Sequence, residues 1–311
     1  MSKFGFFSVA PDGWEARCAT RGALFGCPEW QGLLEASFGC RSIYGWNGEA
    51  GAAISAFKAG PFTVGYLGFP AGGFIGDPEA HDQMLTELGA GASVGLTCLR
   101  VPVSLFGTDL ELRAPYVTNP ETAIADLQSW DLMAVSKNLR RDIRKAERSG
   151  LEVDLSTDEA IGTDLFGMYE DAVRHHGGSL RYNRDYFRGL LAMSARNSAI
   201  RVYIARHDGS IAGFAVVVLH GHSACYLHGG SAAEFRSLSP SDLILANAIT
   251  SARADGKSLF NFMASPADQP TLVRYKEKWG GETRPLRTYT IRLSAAFPLF
   301  RVIESLYRRI R

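Results

Sequence analysis

The chain lacks any long apolar run. Its longest, such as Ile211 to Leu219, fall far below the roughly 20 residues that a membrane-spanning helix needs. The first residues, Met1 to Phe7, hold a lysine and three phenylalanines but neither a sustained apolar core nor a cleavage site, so a secretory signal is not expected and the location expected is cytoplasmic. Paired cysteines are missing too: the five, at 18, 27, 40, 98 and 225, include no Cys-x-x-Cys, and an odd number argues against a disulfide framework. Net charge is only +1, so bulk electrostatics name no partner, and DNA is not among those expected. Metal spacing is absent as well. His175 and His176 are neighbours that face apart on a helix, and His220 and His222 have no carboxylate or cysteine at a companion spacing. No internal repeat is visible in the residues themselves.

What is present is an ordinary globular composition, 46% hydrophobic and 21% charged, at a length of 311 residues that suits two cores better than one. Glu29 to Ser37 reads as a helix, and Ser42 to Trp46, Gly51 to Phe57 and Thr63 to Phe69 as strands between Gly and Pro punctuation. Asp77 and Pro78 open a helix to about Leu88, and Gly95 to Val103 returns as a strand. Residues 114–130 read as a crossing segment. Met133 to Arg148 is the strongest helical pattern, with an apolar stripe of Leu139, Ile143 and Ala146 and a stop at Ser149-Gly150.

Beyond it the order continues: a strand (Leu151 to Leu155), two helices (Asp158 to His175 and Asn183 to Ala195), and three antiparallel strands (Ile200 to His207, Gly209 to His220, Ser223 to Gly229). Asp208-Gly209 is a hairpin signal. A helix (Ser239 to Ala254), a strand (Ser258 to Met263), a helix (Pro270 to Trp279) and a strand (Arg287 to Leu293) follow, and then an amphipathic tail helix from Pro298 to Arg311. The expected class is α+β (α/β), with domains at 1–130 and 131–295 and the tail at 296–311.

The order helix, helix, three strands, helix, strand, helix, strand resembles a GNAT acyltransferase domain. Four segments narrow the resemblance to the Fem-type branch: the aminoacyltransferases of peptidoglycan bridges and the acetyltransferase-like proteins of polysaccharide clusters. They are Ser136-Lys-Asn-Leu-Arg-Arg-Asp-Ile-Arg-Lys-Ala-Glu-Arg-Ser-Gly150, Tyr226-Leu-His-Gly-Gly-Ser231, the Ser239-Pro-Ser241 helix start with Ala-Asp-Gly256 at its end, and Arg274-Tyr-Lys-Glu-Lys-Trp-Gly-Gly281. The resemblance implies two GNAT-like halves, the first degenerate, each a largely antiparallel mixed sheet flanked by helices.

It also implies a site. GNAT enzymes hold the donor pyrophosphate at Arg/Gln-x-x-Gly-x-Gly/Ala before a helix; here Arg236, Ser239 and Ser241 stand at that motif, with serines in place of glycines and Ser239 as the expected cap. Asn261 replaces the Asp common in relatives and is the fourth donor contact. Setting Gly280 against the glycine that follows the GNAT tyrosine puts Lys276 at the tyrosine's position and Tyr275 one residue off. In Fem-type relatives a lysine of this helix is associated with the donor, so Lys276 is the principal catalytic candidate. The plainer reading of Lys276-Glu277-Lys278 is a solvated charge run.

His228, where the GNAT sheet splays, is a candidate proton relay. Lys137, Arg141, Arg144 and Arg148 share a helix face suited to a polyphosphate, and Arg181 and Tyr182 are acceptor candidates on a Gly-rich link. No bound cofactor is expected; the donor substrate is an acyl-CoA or, alternatively, an aminoacyl-tRNA. The acceptor is a small-molecule, nucleotide-linked or lipid-linked amine. A non-enzymatic module in an assembly complex is the third alternative. The tail sets Phe300, Ile303, Leu306, Tyr307 and Ile310 against Arg301, Arg308, Arg309 and Arg311, a pattern that suits docking on the body or peripheral contact with an anionic membrane.

Overall fold

Three antiparallel strands, a helix and a parallel return occur twice in this chain. A computed structural model describes residues 2–89, 94–107, 110–175 and 177–310, with the side chains of 78 and 307–310 excepted. His176 and the side chains of Tyr307, Arg308, Arg309, Ile310 and Arg311 therefore lie outside the described set.

In chain order the elements are β1 (Gly5–Phe7), α1 (Trp14–Arg21), α2 (Pro28–Phe38), β2 (Arg41–Trp46), β3 (Gly51–Ala59), β4 (Phe62–Leu67), β5 (Phe74–Ile75), α3 (Pro78–Gly89), β6 (Cys98–Ser104) and β7 (Tyr116–Ile124). Next come α4 (Lys137–Arg148), β8 (Glu152–Leu155), α5 (Gly162–His175), α6 (Arg184–Ser194), β9 (Ile200–His207), β10 (Ser210–His220) and β11 (Ser223–Ser231). The last are α7 (Pro240–Ala254), β12 (Leu259–Ala264), α8 (Pro270–Glu277), β13 (Glu282–Arg292) and α9 (Phe297–Ile310).

The chain forms two units, one of residues 1–118 and 286–311 and the other of 119–285. The sequence-based boundaries at 130 and 295 differ, because both changeovers fall inside strands, β7 and β13. The stretch 114–130, expected as a crossing segment, contains β7.

The first unit orders its strands β1-β2-β3-β4-β6-β13, with β5 on β3; β4 and β6 are parallel and the other pairs antiparallel. Asp77 caps α3 as expected, its carboxylate accepting from Ala80 N at 2.8 Å. Ile54, Met84, Leu99 and Tyr289 lie in its main core. α9 docks here through Phe300, whose ring lies 5.4 Å from Phe62, and through Glu304, paired to Arg100 at 2.5 Å. The apolar face expected of this helix is thus divided: Phe300 is buried, while Ile303 and Leu306 face outward together with Leu299 and Val302.

The second unit orders its strands β7-β12-β11-β10-β9-β8, with only β11 and β12 parallel. Asp208 and Gly209 both take positive φ, 48° and 81°, as the expected hairpin turn requires. α4 buries Leu139, Ile143 and Ala146, the predicted stripe, and Ser136 caps it by accepting from Leu139 N. Asn183 likewise caps α6 through Tyr186 N. Ser239 does not cap α7 as expected. It adopts a left-handed conformation (φ 59°, ψ 47°) with no side-chain capping bond, and its carbonyl instead receives Asp242 N and Leu243 N.

Candidate active site

β11 and β12 run side by side only from Ser223↔Leu259 to Cys225↔Asn261, and both continue beyond the last pair without partnering each other. This is the divergence that the sequence placed near His228. Tyr226 and Phe262, each one residue past the last pair, meet edge-on with ring centroids 6.4 Å apart.

β12 then bulges. Its register against β7 shifts between Asn261 and Ala264, and Met263 takes φ 62°, uncommon for a side-chain-bearing residue. Asn261 holds that turn: its Oδ1 accepts from Met263 N at 2.7 Å, and its Nδ2 donates to Glu121 Oε1 at 2.9 Å.

Lys276 is not part of a solvated run. It is 4% exposed, and its Nζ donates to Met263 O and Ser265 Oγ, each at 2.8 Å. An ammonium has three hydrogens, so one is left without a protein acceptor among the described residues. Burial lowers its pKa from 10.5 to about 7, while the charge of Glu121 acts to raise it. Its neighbours Glu277 and Lys278 are exposed. Gly280 closes the segment in a left-handed turn (φ 81°), and a side chain at Gly281 would come within 2.8 Å of Thr122. The Gly-Gly stop therefore lets the chain leave α8 hard against β7.

Tyr275 has a different task. Its hydroxyl donates to Asp242 Oδ1 at 2.9 Å, tying α8 to the first turn of α7. Burial and the adjacent carboxylate raise its pKa well above 10, and burial raises that of Asp242. Ser241 is bound to Ser231 through their hydroxyls at 2.6 Å, which anchors the end of β11 to the same turn. Arg236 is exposed on the 3-10 turn Ala233–Leu238.

His228 lies in an aromatic enclosure of Tyr169, Tyr182, Tyr186 and Phe187, with the Tyr182 ring 4.4 Å away and Nε2 3.2 Å from Tyr186 Oη. Burial lowers its pKa to about 3, so it is neutral at ordinary pH and a weak base. Tyr182 and His228 are thus brought together, whereas Arg181 is exposed and its backbone N–H donates to Tyr169 Oη. Lys137, Arg141, Arg144 and Arg148 are all exposed on α4; Arg141 pairs with Asp142 at 3.1 Å and Arg148 bonds the Arg144 carbonyl. Lys145 of the same helix reaches Ser237 O, so the basic helix flanks the loop before α7.

A groove of about 340 Å³ around Ser156, Ser251 and Asp255 holds none of these residues, and its Arg201 is already paired to Asp255 at 2.5 Å. Among the described residues no cluster of three or more His, Cys, Asp or Glu can hold a metal, and no helix is long and apolar enough to cross a membrane. All five cysteines are free thiols. Glu121, Met263, Ser265 and Asp242 were not foreseen. Glu121 and Ser265 come to the site only through the pairing of β7 with β12, which no local signal announces.

Residues 134–277 match the family model described as the acetyltransferase (GNAT) domain. No curated protein matches the sequence. Among solved structures the chain is similar to FemX (TM-score 0.70, 14% identity, 96% of this chain and 100% of that one). It is similar to the C-terminal domain of a putative lysylphosphatidylglycerol synthetase from Agrobacterium fabrum (0.61, 16%, 94% and 95%). A tandem GNAT protein from the clavulanic acid biosynthesis pathway is a further likeness (0.52, 13%, 94% and 99%). At these identities the structural likenesses establish the fold, two GNAT-like halves, and the family model matches most of the second. Residues 134–277 thus resemble a GNAT acetyltransferase domain, set in an α+β chain whose fold is similar to that of FemX.

Proposed function

We propose that the enzyme is an N-acyltransferase that moves an acyl group from an acyl-CoA-type donor to the amine of an amino sugar or amino-acid-containing acceptor in cell-envelope polysaccharide assembly. Lys276 carries this reading: a buried ammonium beside the strand divergence, held by two acceptors, with one hydrogen to give. The acceptor amine attacks the acyl carbon, the bond to the leaving sulfur or oxygen breaks, the leaving atom takes a proton from Lys276, and the proton shed by the attacking nitrogen restores the lysine's charge. A group with a pKa near 7 is suited to donating that proton at neutral pH. Tyr275 keeps α7 and α8 in place, and His228, neutral and enclosed, shapes the wall with Tyr182 rather than accepting a proton. Arg181 and Tyr182 are the acceptor contacts.

One observation favours a second reading, an aminoacyl-tRNA donor. The first turn of α7, where a GNAT pyrophosphate sits on free N–H groups, has a proline at its first position, Asp242 N already bonded to Ser239 O, and the Asp242 carboxylate itself. Each of these weakens an anion seat. In this reading Lys137, Arg141, Arg144 and Arg148 carry the phosphate contacts, and a phosphate chain spread along a helix face suits a nucleic-acid backbone better than a single pyrophosphate. Thermal shift with acetyl-CoA, longer acyl-CoAs and an aminoacyl-tRNA separates the two, since a ligand at 100 times its Kd adds about 2.7 kcal/mol. A shift with a CoA ester supports the first reading, a shift with the tRNA alone supports the second, and no shift with any donor rejects both.

A membrane-linked acceptor also fits the outward face of α9, where Leu299, Val302, Ile303 and Leu306 are each about half exposed beside the exposed Arg301. Changing Leu299, Val302 and Leu306 to Ser leaves the Phe300 and Glu304 contacts intact. Loss of co-sedimentation with anionic vesicles is the expected outcome; equal binding by variant and wild type rejects membrane contact.

A further inference from the structure

Glu121 is a buried acidic residue, 1% exposed, with no part in the chemistry described so far. Its surroundings form a continuous chain of hydrogen bonds. Glu121 Oε1 receives Asn261 Nδ2, Asn261 Oδ1 receives Met263 N, and Met263 O receives Lys276 Nζ. The second acceptor of Lys276 belongs to the same construction: Ser265 N donates to Pro120 O at 2.8 Å, and Ala264 is the register partner of Glu121. The positive φ of Met263 turns its carbonyl toward the lysine, and Asn261 is the group that fixes this turn.

We propose that Glu121 is a positioning residue of the acyltransferase: through Asn261 it sets the bulge of β12 that aims Lys276, and as a buried carboxylate it keeps that buried lysine chargeable. This rests on the reading of Lys276 as the acting group. An amine so deeply buried loses its proton unless an opposite charge is near. Glu121 supplies that charge from β7. The other titratable groups nearby do not: Cys225 of β11 is a buried thiol raised to about 12, Asp242 of α7 is engaged by Tyr275, and on α8 itself Tyr275 is that engaged phenol while Glu277 bonds Thr283. The charge of Glu121 is also felt by Cys225, which faces Asn261 across the last strand pair. Asn261, expected from the sequence as a donor contact, in this proposal links Glu121 to Lys276.

The test reads the lysine directly. With ¹³Cε-labelled lysine and Lys276→Met to assign the signal, the Lys276 resonance of the full chain is followed against pH by NMR in wild type and in Glu121→Gln. Glutamine keeps an acceptor oxygen for Asn261 and removes the charge. The titration point is expected to fall by about one pH unit or more, a tenfold change in proton affinity, and to recover in Glu121→Asp. If Glu121→Gln does not fold, Asn261→Ala carries the test: it keeps the carboxylate and cuts its link to Met263, and the titration point is again expected to fall. An unchanged titration point in whichever of these variants folds overturns the proposal. Failure of the underlying reading looks different: Lys276→Met would then turn over normally, whatever Glu121 does to the lysine's proton.

Discussion

The two halves share a plan and differ at one place. In the first, β2, β3 and β4 run antiparallel, α3 crosses, and β6 returns parallel to β4; in the second, β9, β10 and β11 run antiparallel, α7 crosses, and β12 returns parallel to β11. After β12 comes α8, bearing Tyr275 and Lys276. After β6 the described residues up to β7 form no helix. What each half buries differs in the same sense. The first buries one cation, Arg100, already paired to Glu304, and a neutral network: Gln31 Nε2 donates to Phe25 O at 2.8 Å, and its Oε1 receives Ser55 at 2.9 Å and Ser42 at 3.2 Å. The second buries a lysine and an acid around a strand bulge. A satisfied neutral network specifies a core at little cost, whereas a buried ammonium is expensive and persists where it is used.

The sharpest way to break this contrast is at Lys276. Replacing it with Met is expected to lower kcat by about 10²–10⁴-fold, the usual worth of a positioned proton donor. Wild-type kcat should fall as pH rises through about 7, because the proposed mechanism uses the protonated lysine as the proton donor. That limb should be absent from the residual activity of the variant. A variant whose pH profile keeps the limb would assign it to another group.

The second effect is on stability. The folded-state pKa of Lys276 is lowered from 10.5 to about 7, so between those values the unfolded chain binds the proton and the folded chain does not. Folding is therefore opposed below pH 7 and progressively favoured as pH rises toward 10.5. Relative to Lys276→Met, wild type should gain on the order of 3 kcal/mol between pH 7 and 10, read by urea melts at each pH. A difference independent of pH would mean that the lysine ionises as it does in water.

In the first half Gln31→Leu should cost about 2 kcal/mol in the same melts, because Phe25 O and two buried hydroxyls lose their partner. Turnover per folded molecule should not change. Loss of turnover in a folded Gln31→Leu enzyme would make the first half more than a scaffold.

The reach of the sequence follows the reach of its signals. The α4 stripe, the Asn183 cap and the Asp208-Gly209 turn depend on residues three or four apart, and all three appear in the structure. Counting back from Gly280, again a local measure, singles out Lys276, but not its burial. β7 went unread because Pro120 interrupts a strand whose partners lie more than a hundred residues away. Ser239 has the right chemistry for a cap but the wrong backbone, and Glu121 and Asn261 acquire their meaning only from a bulge between paired strands. A single residue pattern carries periodicity well, but not which distant strand will lie beside it.

The smallest stability effect, and the one that decides how far the contrast extends, concerns α4. Arg141 and Arg144 are exposed, and Arg141 pairs only with its own neighbour Asp142, so Arg141→Gln with Arg144→Gln should alter stability by less than about 0.5 kcal/mol. Binding is the other half of the test. α4 lies against the loop before α7 through Lys145 and Ser237, so a polyphosphate or tRNA donor reaching that loop passes the basic face. The double variant should then raise the KM for donor several-fold and flatten its dependence on salt, since two fewer charges meet phosphate. If KM and its salt slope stay as in wild type, the stripe is a solvated surface, and the asymmetry between the halves narrows to β12, α8 and the two buried charges between them.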